Sequence, residues 1–536
     1  MASVLVRADA RAQEVPTEIV VTATSDVSNG DTSTASGLAA NPGPDGISLR
    51  EALQVTINDP GTHLIRFDSA LAGMTIVLDS QLPLLSAGGV TIDGDIDGDG
   101  DSDVTISGEG NIQVGFHIAS GGNRLHALAL TGFSGGVHFS PVQTSSDFPT
   151  HVTFADNFVE GLVMRNLASH GGATKGIGVE IASIACGIDP EFPPACPSYN
   201  TWANTTITNN TIEAEHAGIK FAIAGTGDRI QGATVTDNII RVVGMGVGAG
   251  SDSADTGIAL ETGGNSDDVV ISDVVIGGNS IEGEPSIGIN VVAGGGRSQS
   301  ATTQRIRVVD NDVHLEKRVD KYCCQGIVIS AGSDDPSFAA GPPVRYLDDN
   351  TVRDVVVRNN VVSGTLEWGI ALEAAWGGGG RGNRVRDIRI KQNVVRTSLP
   401  RLGVAMVIGG GTPYDNRYTS DNRIAGVVIA SNRFTIGTGS DFRNAGPGIM
   451  AAGIALIGGG TWSQENVVRD VRMARNTIKS PYFGIEIIGG LDDTARRNRV
   501  ICVPLRDNRI RGARKDVSIR ANVRGATGNK VRLGAC

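Results

Sequence analysis

Apolar and polar residues alternate in short runs, and these runs recur from one end of the chain to the other. In DTGIALETGG (255–264), Ile258 and Leu260 alternate with Ala259 and Glu261. The unit has the form Gly-[Ile/Val]-x-[apolar] and begins at Gly136, Gly176, Gly218, Gly257, Gly288, Gly326, Gly369, Gly403, Gly453 and Gly484. Each copy is followed by a second unit ending in Asn, at Asn157, Asn210, Asn238, Asn279, Asn311, Asn360, Asn393, Asn432, Asn476 and Asn508. Three copies are nearly identical: VRDVVVRNN from Val352, VRDIRIKQN from Val385 and VRDVRMARN from Val468. A period of two, with glycine beside nearly every segment, predicts strands rather than helices. The strands are too short and too evenly spaced for hairpins. The chain must then coil in one sense and lay each strand parallel to the strand one turn earlier. This predicts an all-β fold, a right-handed parallel β-helix solenoid of about ten or more coils.

Several consequences follow from the stacking of equivalent positions. The asparagines are expected to form a hydrogen-bonded ladder at one corner. The aliphatic residues stack inward, and the Arg/Asp pairs of VRD form outward charged ladders that serve solubility. Successive repeat glycines are 31 to 50 residues apart. The excess length lies in Gly-rich runs such as AGGGRSQSATTQ and AAWGGGGRGNRVRD, which are expected to form a loop wall along one side of the solenoid.

At 536 residues, with 40% hydrophobic and 4% aromatic residues and 73 glycines, the chain is ordered and poor in bulky side chains. A net charge of −11 argues against nucleic acid as a partner. No apolar run approaches the length of a membrane span. Residues 1–18 read as the remnant of an export signal, ending near Ala10-Arg11-Ala12. A secreted, extracellular or periplasmic protein is expected. Six cysteines fit an oxidising compartment. Cys186 with Cys196 and Cys502 with Cys536 are candidate disulfides. Cys323 and Cys324 form either a vicinal disulfide or separate pairs.

A solenoid needs its open end covered. Residues 19–110 read as an N-terminal cap and first coils, and 111–536 as the β-helix. Ser48 and Glu51 form a capping box that starts a short helix lying over the first coil. The segments DGISLREALQ (45–54) and TIDGDIDGDGDSDVTISG (91–108) resemble the cap and first coil of secreted parallel β-helix proteins with a C-S-L-R-E-A motif. Ile47 stands where that motif has cysteine. The resemblance implies this fold and export, and covers both surface adhesins and carbohydrate-active enzymes. The architecture also resembles that of pectate lyases and polygalacturonases. The Asn-Thr-Asp and Gly-His-Gly motifs of the polygalacturonases and the arginine signature of the pectate lyases are absent.

With the repeat glycine at position 0, positions +1 and +3 point inward and +2 and +4 outward. The outward slots hold Glu180 (+4), Lys220 (+2), Glu261 (+4), Asn290 (+2), Ser330 (+4) and Glu373 (+4). Later coils offer Ala405, Val407, Ala455 and Ile457. Position −2 adds His216, Asp255, Glu367, Arg401 and Tyr482. Glu180 and Glu261, two coil rises or about 9–10 Å apart, fit the carboxylate pair of an inverting glycosidase. Glu261, Glu180, Asp255, Glu373 and Lys220 are the catalytic candidates, with Lys220 also a candidate lyase base. His216, Asn290, Tyr322, Glu367, Trp368, Trp376 and Arg401 are candidates for substrate binding. The two tryptophans flank Glu373 as aromatic faces for a sugar. The segment HLEKRVDKYCC (314–324) could grip a uronate. Asp93, Asp95, Asp97 and Asp99 alternate with other residues as in an oxygen cage for structural calcium, and no metal is expected in catalysis. The leading function is a polysaccharide-degrading glycoside hydrolase acting on a polysaccharide or oligosaccharide. The alternatives are a polysaccharide lyase and a non-catalytic glycan-binding surface protein.

Overall fold

The computed structural model describes residues 15–141, 151–168, 176–183, 199–244, 255–262, 267–295, 298–316, 324–333, 348–376, 380–397, 403–410, 419–437, 452–460, 462–491, 493–523 and 525–534. These residues form a right-handed parallel β-helix. Every strand pairing in its long sheets is parallel, and each strand pairs with its counterpart one coil away. One column of strands runs through Ile177–Ala182, Ala217–Ile223, Thr256–Thr262, Ile287–Gly295, Gln325–Ser333 and Trp368–Trp376. A second runs through Thr302–Val309, Thr351–Arg358, Arg384–Lys391, Arg423–Ala430 and Val467–Ala474. A third holds the short strands that follow each ladder asparagine, such as Val361–Gly364 and Val394–Thr397.

The inward residues make one continuous aliphatic core. Ile219, Ile258, Ile289, Ile327 and Ile370 stack at one position and Phe221, Leu260, Val291, Ile329 and Leu372 at the next, all fully buried. Each such side chain contributes roughly 1.5–3 kcal/mol through removal from water. The repeat glycine is a steric requirement. A Cβ on Gly257 would stand 2.5 Å from both Gly288 O and Ile281 Cγ2.

The asparagine ladder runs from Asn210 to Asn508. Each Nδ2 donates to the next Oδ1 at 2.9–3.0 Å, and each Oδ1 also accepts the backbone N–H of the asparagine before it. The residue before each ladder asparagine is left-handed, as at Asp237, Asn359 and Gln392, so the ladder sits where the chain turns a corner. Asn157 is not its first rung. Leu162 donates its backbone N–H to Asn210 Oδ1, and Asn157 instead pairs with Asn123 at another corner. A second ladder, Asn350, Asn383, Asn422, Asn466, Asn498 and Asn529, runs parallel to the first. The aspartates of VRD do more than carry charge. Asp354, Asp387 and Asp470 have φ of 55°, 59° and 54° and bend the strand in its middle, a conformation that aspartate tolerates better than most residues.

At the N-terminus, helix Leu49–Asn58 begins at Ser48 with the expected capping box. Glu51 is buried and also accepts the backbone N–H groups of Asn29 and Gly30 at 2.7 and 2.6 Å. Arg50 makes two hydrogen bonds to Asp26, and Leu49 and Ala52 enter the core. Ser48 and Glu51 thus tie the helix to residues 27–30 within the cap, Arg50 ties it to Asp26, and Leu49 and Ala52 seat it on the core. Among the described residues no helix is long and apolar enough to cross a membrane. Neither Cys324 nor Cys502 is a free thiol. Cys186, Cys196, Cys323 and Cys536, the expected loop wall and most of 314–324 lie wholly or largely outside the described residues.

Candidate functional site

The outer face of the first strand column carries the titratable cluster. Its register corrects the sequence frame at two coils. Val179 faces Ile219 and Glu180 faces Lys220, so Gly178, not Gly176, is the repeat glycine and Glu180 occupies +2. Ala405 and Val407 are inward core residues, while Met406 and Ile408 point outward. Elsewhere the assigned directions match the buried columns.

In the corrected frame the +2 column reads His117, His138, Glu180, Lys220, Ala259 and Asn290, one residue per coil. The +4 column places Glu261 after Ala222 and before Val292, Ser330 and Glu373. Lys220 Nζ lies 3.9 Å from Glu261 Oε2, and Asn290 Nδ2 donates to Glu261 Oε1 at 2.8 Å. His138 Nδ1 is 3.5 Å from Glu180 Oε2. Beside this ladder His216 Nδ1 donates to Asp255 Oδ1 at 2.7 Å, and both residues are buried. The carboxylate thus fixes the tautomer of the imidazole. Of the predicted residues, Glu180, Lys220 and Glu261 stand on three consecutive coils, with the His216–Asp255 pair beside them.

Burial sets the proton affinities. Desolvation raises the Glu180 carboxyl above the ordinary range, opposed by the nearby charges of Lys220 and His216. His117 and His138 are both pushed down to about 4, by burial first and for His117 also by its neighbour His138. Their rings are 5.3 Å apart, and His117 Nε2 bonds Ser140 Oγ at 2.8 Å. Both histidines were missed in the sequence. The signal for His138 was present, since GVHF (136–139) fits the repeat with His at +2.

Other candidates are placed apart. Glu373 stands three coils beyond Glu261 in the same column, about 14 Å along the axis, and cannot share one glycosidic bond with it. It is 1% exposed, Oε1 has no hydrogen-bond partner, and burial pushes its carboxyl up to about 8. Trp368 is 2% exposed and packs with Val328, Ala371 and Met406, so it offers no open face to a sugar. Glu367 is half-buried on the same coil as Glu373, away from the patch. Tyr322, Arg401 and the side chain of Trp376 lie outside the described residues.

Asp95, Asp97 and Asp99 bring one carboxylate oxygen each to within 4.8 Å of one another and could hold a cation. Asp93 leaves that set. It bonds His126 Nδ1 at 2.9 Å and lies 4.0 Å from Arg66 Nε.

No family model matches the chain, and no curated protein matches it. Solved structures do resemble it. The Dettilon tailspike protein is 14% identical with a TM-score of 0.43, over 93% of this chain and 68% of that one. The surface protein and adhesin PfbA of Streptococcus pneumoniae is 12% identical with a TM-score of 0.43, over 88% and 95%. The catalytic unit of a GH87 alpha-1,3-glucanase from Streptomyces thermodiastaticus is 13% identical with a TM-score of 0.37, over 90% and 66%. Likeness at this level carries no argument about activity. The fold assignment stands on the strand register and the two asparagine ladders.

Proposed function

We propose that this protein is a secreted glycan-cleaving enzyme, a glycoside hydrolase whose reaction centre is the Glu180–Lys220–Glu261 ladder. The observation that carries this reading is the position of Lys220, one coil from each glutamate and between the two. Glu180, with its proton affinity raised by burial, acts as general acid to the leaving oxygen. Glu261, which accepts the Asn290 amide and faces the Lys220 ammonium, acts as base toward water. The two glutamates are two coils apart and offset by two residues along the strand, so their Cα atoms are roughly 11–12 Å apart. Glu180 contacts His138 and Glu261 contacts Asn290 on their outer sides, so in this reading the two carboxyls turn toward Lys220 when substrate binds to reach the separation of an inverting pair. Asp255 and His216 border this centre as a buried hydrogen-bonded pair. Asp95, Asp97 and Asp99 hold a structural calcium ion in this reading, remote from the reaction.

The His216–Asp255 contact favours one second reading. An imidazole oriented by a carboxylate is a base suited to removing the proton beside a uronate carboxylate, with Lys220 neutralising that carboxylate. This would be a lyase reaction.

A panel of neutral and acidic polysaccharides separates the readings. New reducing ends without an unsaturated-uronate absorbance support hydrolysis. Growth of that absorbance on a uronate polymer moves the assignment to a lyase. Binding of a glycan with no release of product from any polymer would replace both by the non-catalytic glycan-binding reading.

A further inference from the structure

The net charge of −11 conceals a strong polarity along the solenoid. Residues 1–350 hold 17 Lys or Arg against 43 Asp or Glu, a net of −26, whereas residues 351–536 hold 29 against 14, a net of +15. The excess is concentrated on the outer face of the second strand column. Arg384, Arg386, Arg389, Arg423, Arg472 and Arg499 are all exposed there, and none makes an ion pair with a described residue. Arg469, on the same face, meets only its chain neighbour Asp470, at 3.5 Å.

The register turns this abundance into an energetic problem. Arg353 lies directly opposite Arg386, Arg358 opposite Lys391, Arg384 opposite Arg423, and Arg499 opposite Lys530. Each pair is separated by one strand spacing of about 4.8 Å. Like charges directly opposite are destabilising, and the three exposed aspartates on the same strands, Asp354, Asp387 and Asp470, are too few to balance them. Arg358 Nε is in addition buried with no hydrogen-bond partner. Between the arginine rows Ala425, Gly426 and Val428 leave a low strip across the face.

We infer that this face binds a linear polyanion, an acidic polysaccharide whose carboxylate or sulfate groups bridge guanidinium pairs on neighbouring coils. Bidentate Arg–oxyanion pairing suits this arrangement. Single-stranded nucleic acid fits it less well. Such surfaces stack bases on aromatic side chains, and the strands of this face expose none among the described residues. The surface lies on a different sheet from the Glu180–Glu261 ladder, so it holds polymer without taking part in cleavage.

The test uses the full chain carrying Glu261→Gln, so that binding is read without turnover. Fluorescein-labelled polygalacturonate, neutral dextran and single-stranded oligothymidine are titrated at low and high salt. Polygalacturonate should bind with an affinity that falls as salt rises, and neutral dextran should not bind. The triple reversal Arg386→Glu, Arg389→Glu, Arg472→Glu should weaken binding by at least about tenfold. Reversal of the exposed Arg229, on an early coil, should leave it within about twofold. Circular dichroism melting confirms that each variant is folded. Equal binding by the triple variant would overturn the inference, as would no binding to polygalacturonate or tighter binding of oligothymidine. A salt-sensitive dimer that the triple reversal dissolves would overturn it in favour of a second copy of this chain. Reducing-end release is followed in the same samples, so that binding is scored only where the polymer stays intact and the result stands whether or not the catalytic reading holds.

Discussion

Asn290 donates its side-chain amide to Glu261 across a single coil step, at 2.8 Å. The bond fixes the direction of a carboxylate that also faces Lys220 on the coil before it. An outward glutamate on a solenoid strand would otherwise sweep freely through solvent. Asn290→Ala should therefore lower turnover by about tenfold with a small effect on stability, whereas Asn290→Asp, which sets a second carboxylate against Glu261, should lower it further. Steady-state kinetics on the cleaved polymer, with melting curves alongside, check this. Unchanged turnover in both variants would remove Asn290 from the site.

The buried histidines predict acid lability. His117 and His138 hold their protons only below about pH 4 when folded, against about 6.5 when unfolded. Their contribution is fully present above the unfolded value and is lost as pH falls from about 6.5 to 4. Each is worth on the order of 3 kcal/mol across that window. Urea denaturation against pH should show the loss, and His138→Gln should reduce the slope. A flat profile over that range would contradict the burial argument.

Glu373 predicts the opposite limb. Its folded carboxyl keeps a proton up to about pH 8, whereas the unfolded one releases it near 4.5. The folded state therefore binds more protons through that window, and stability falls as pH rises from about 4.5 to 8. Glu373→Gln, neutral at every pH, should flatten this decline and raise stability at pH 8 by up to about 4 kcal/mol. With the histidines acting below, maximum stability should lie near pH 6–7. A variant less stable than wild type at pH 8 would show that the ionised carboxylate has a partner.

The asparagine ladder should be cooperative. Asn360 Oδ1 accepts from the Asn311 backbone and side chain, and its Nδ2 donates to Val308 O, Arg358 O and Asn393 Oδ1. Asn360→Ala leaves several buried polar groups unpaired and should cost about 2–4 kcal/mol. A terminal rung such as Asn508, bonded to fewer groups and less buried, should cost less. Equal losses at both positions, measured by denaturant titration, would argue against a continuous ladder.

Calcium should stabilise the loop that follows the first coils. If Asp95, Asp97 and Asp99 hold the ion, added calcium should raise the melting temperature, a chelator should reverse the rise, and Asp97→Asn should abolish it. Identical melting with calcium and with chelator would remove the ion from the account.

Much of the fold was legible because a parallel β-helix writes the same constraints once per coil. Glycine where Ile281 crosses Gly257, alternating aliphatics and a corner asparagine recur often enough to reveal the coil. The register within a coil was less legible. Gly176 and Gly178 both fit the repeat, and only the pairing of Val179 with Ile219 decides between them. The GV pair at 403–404 deceived in the same way, because Ala405, inward in the structure, is small enough to pass for either face. The second asparagine ladder went unseen because its members precede the strands that were used to define the repeat. The basic face was hidden for another reason. Whole-chain charge sums two halves of opposite sign, and only a count by segment, placed on the strand register, exposes it. The patch itself came from column alignment, and correcting its two-residue error brings Glu180 into register with Lys220.

The most direct measurement of the central claim compares three variants on a polymer that the wild-type protein cleaves. Reducing-end release is followed for Glu180→Gln, Glu261→Gln and Glu373→Gln. The account predicts losses of at least about a hundredfold for the first two and a change within a few-fold for the third. Near-wild-type rates for Glu180→Gln and Glu261→Gln, or a loss confined to Glu373→Gln, would contradict it and move the reaction away from the Lys220 ladder.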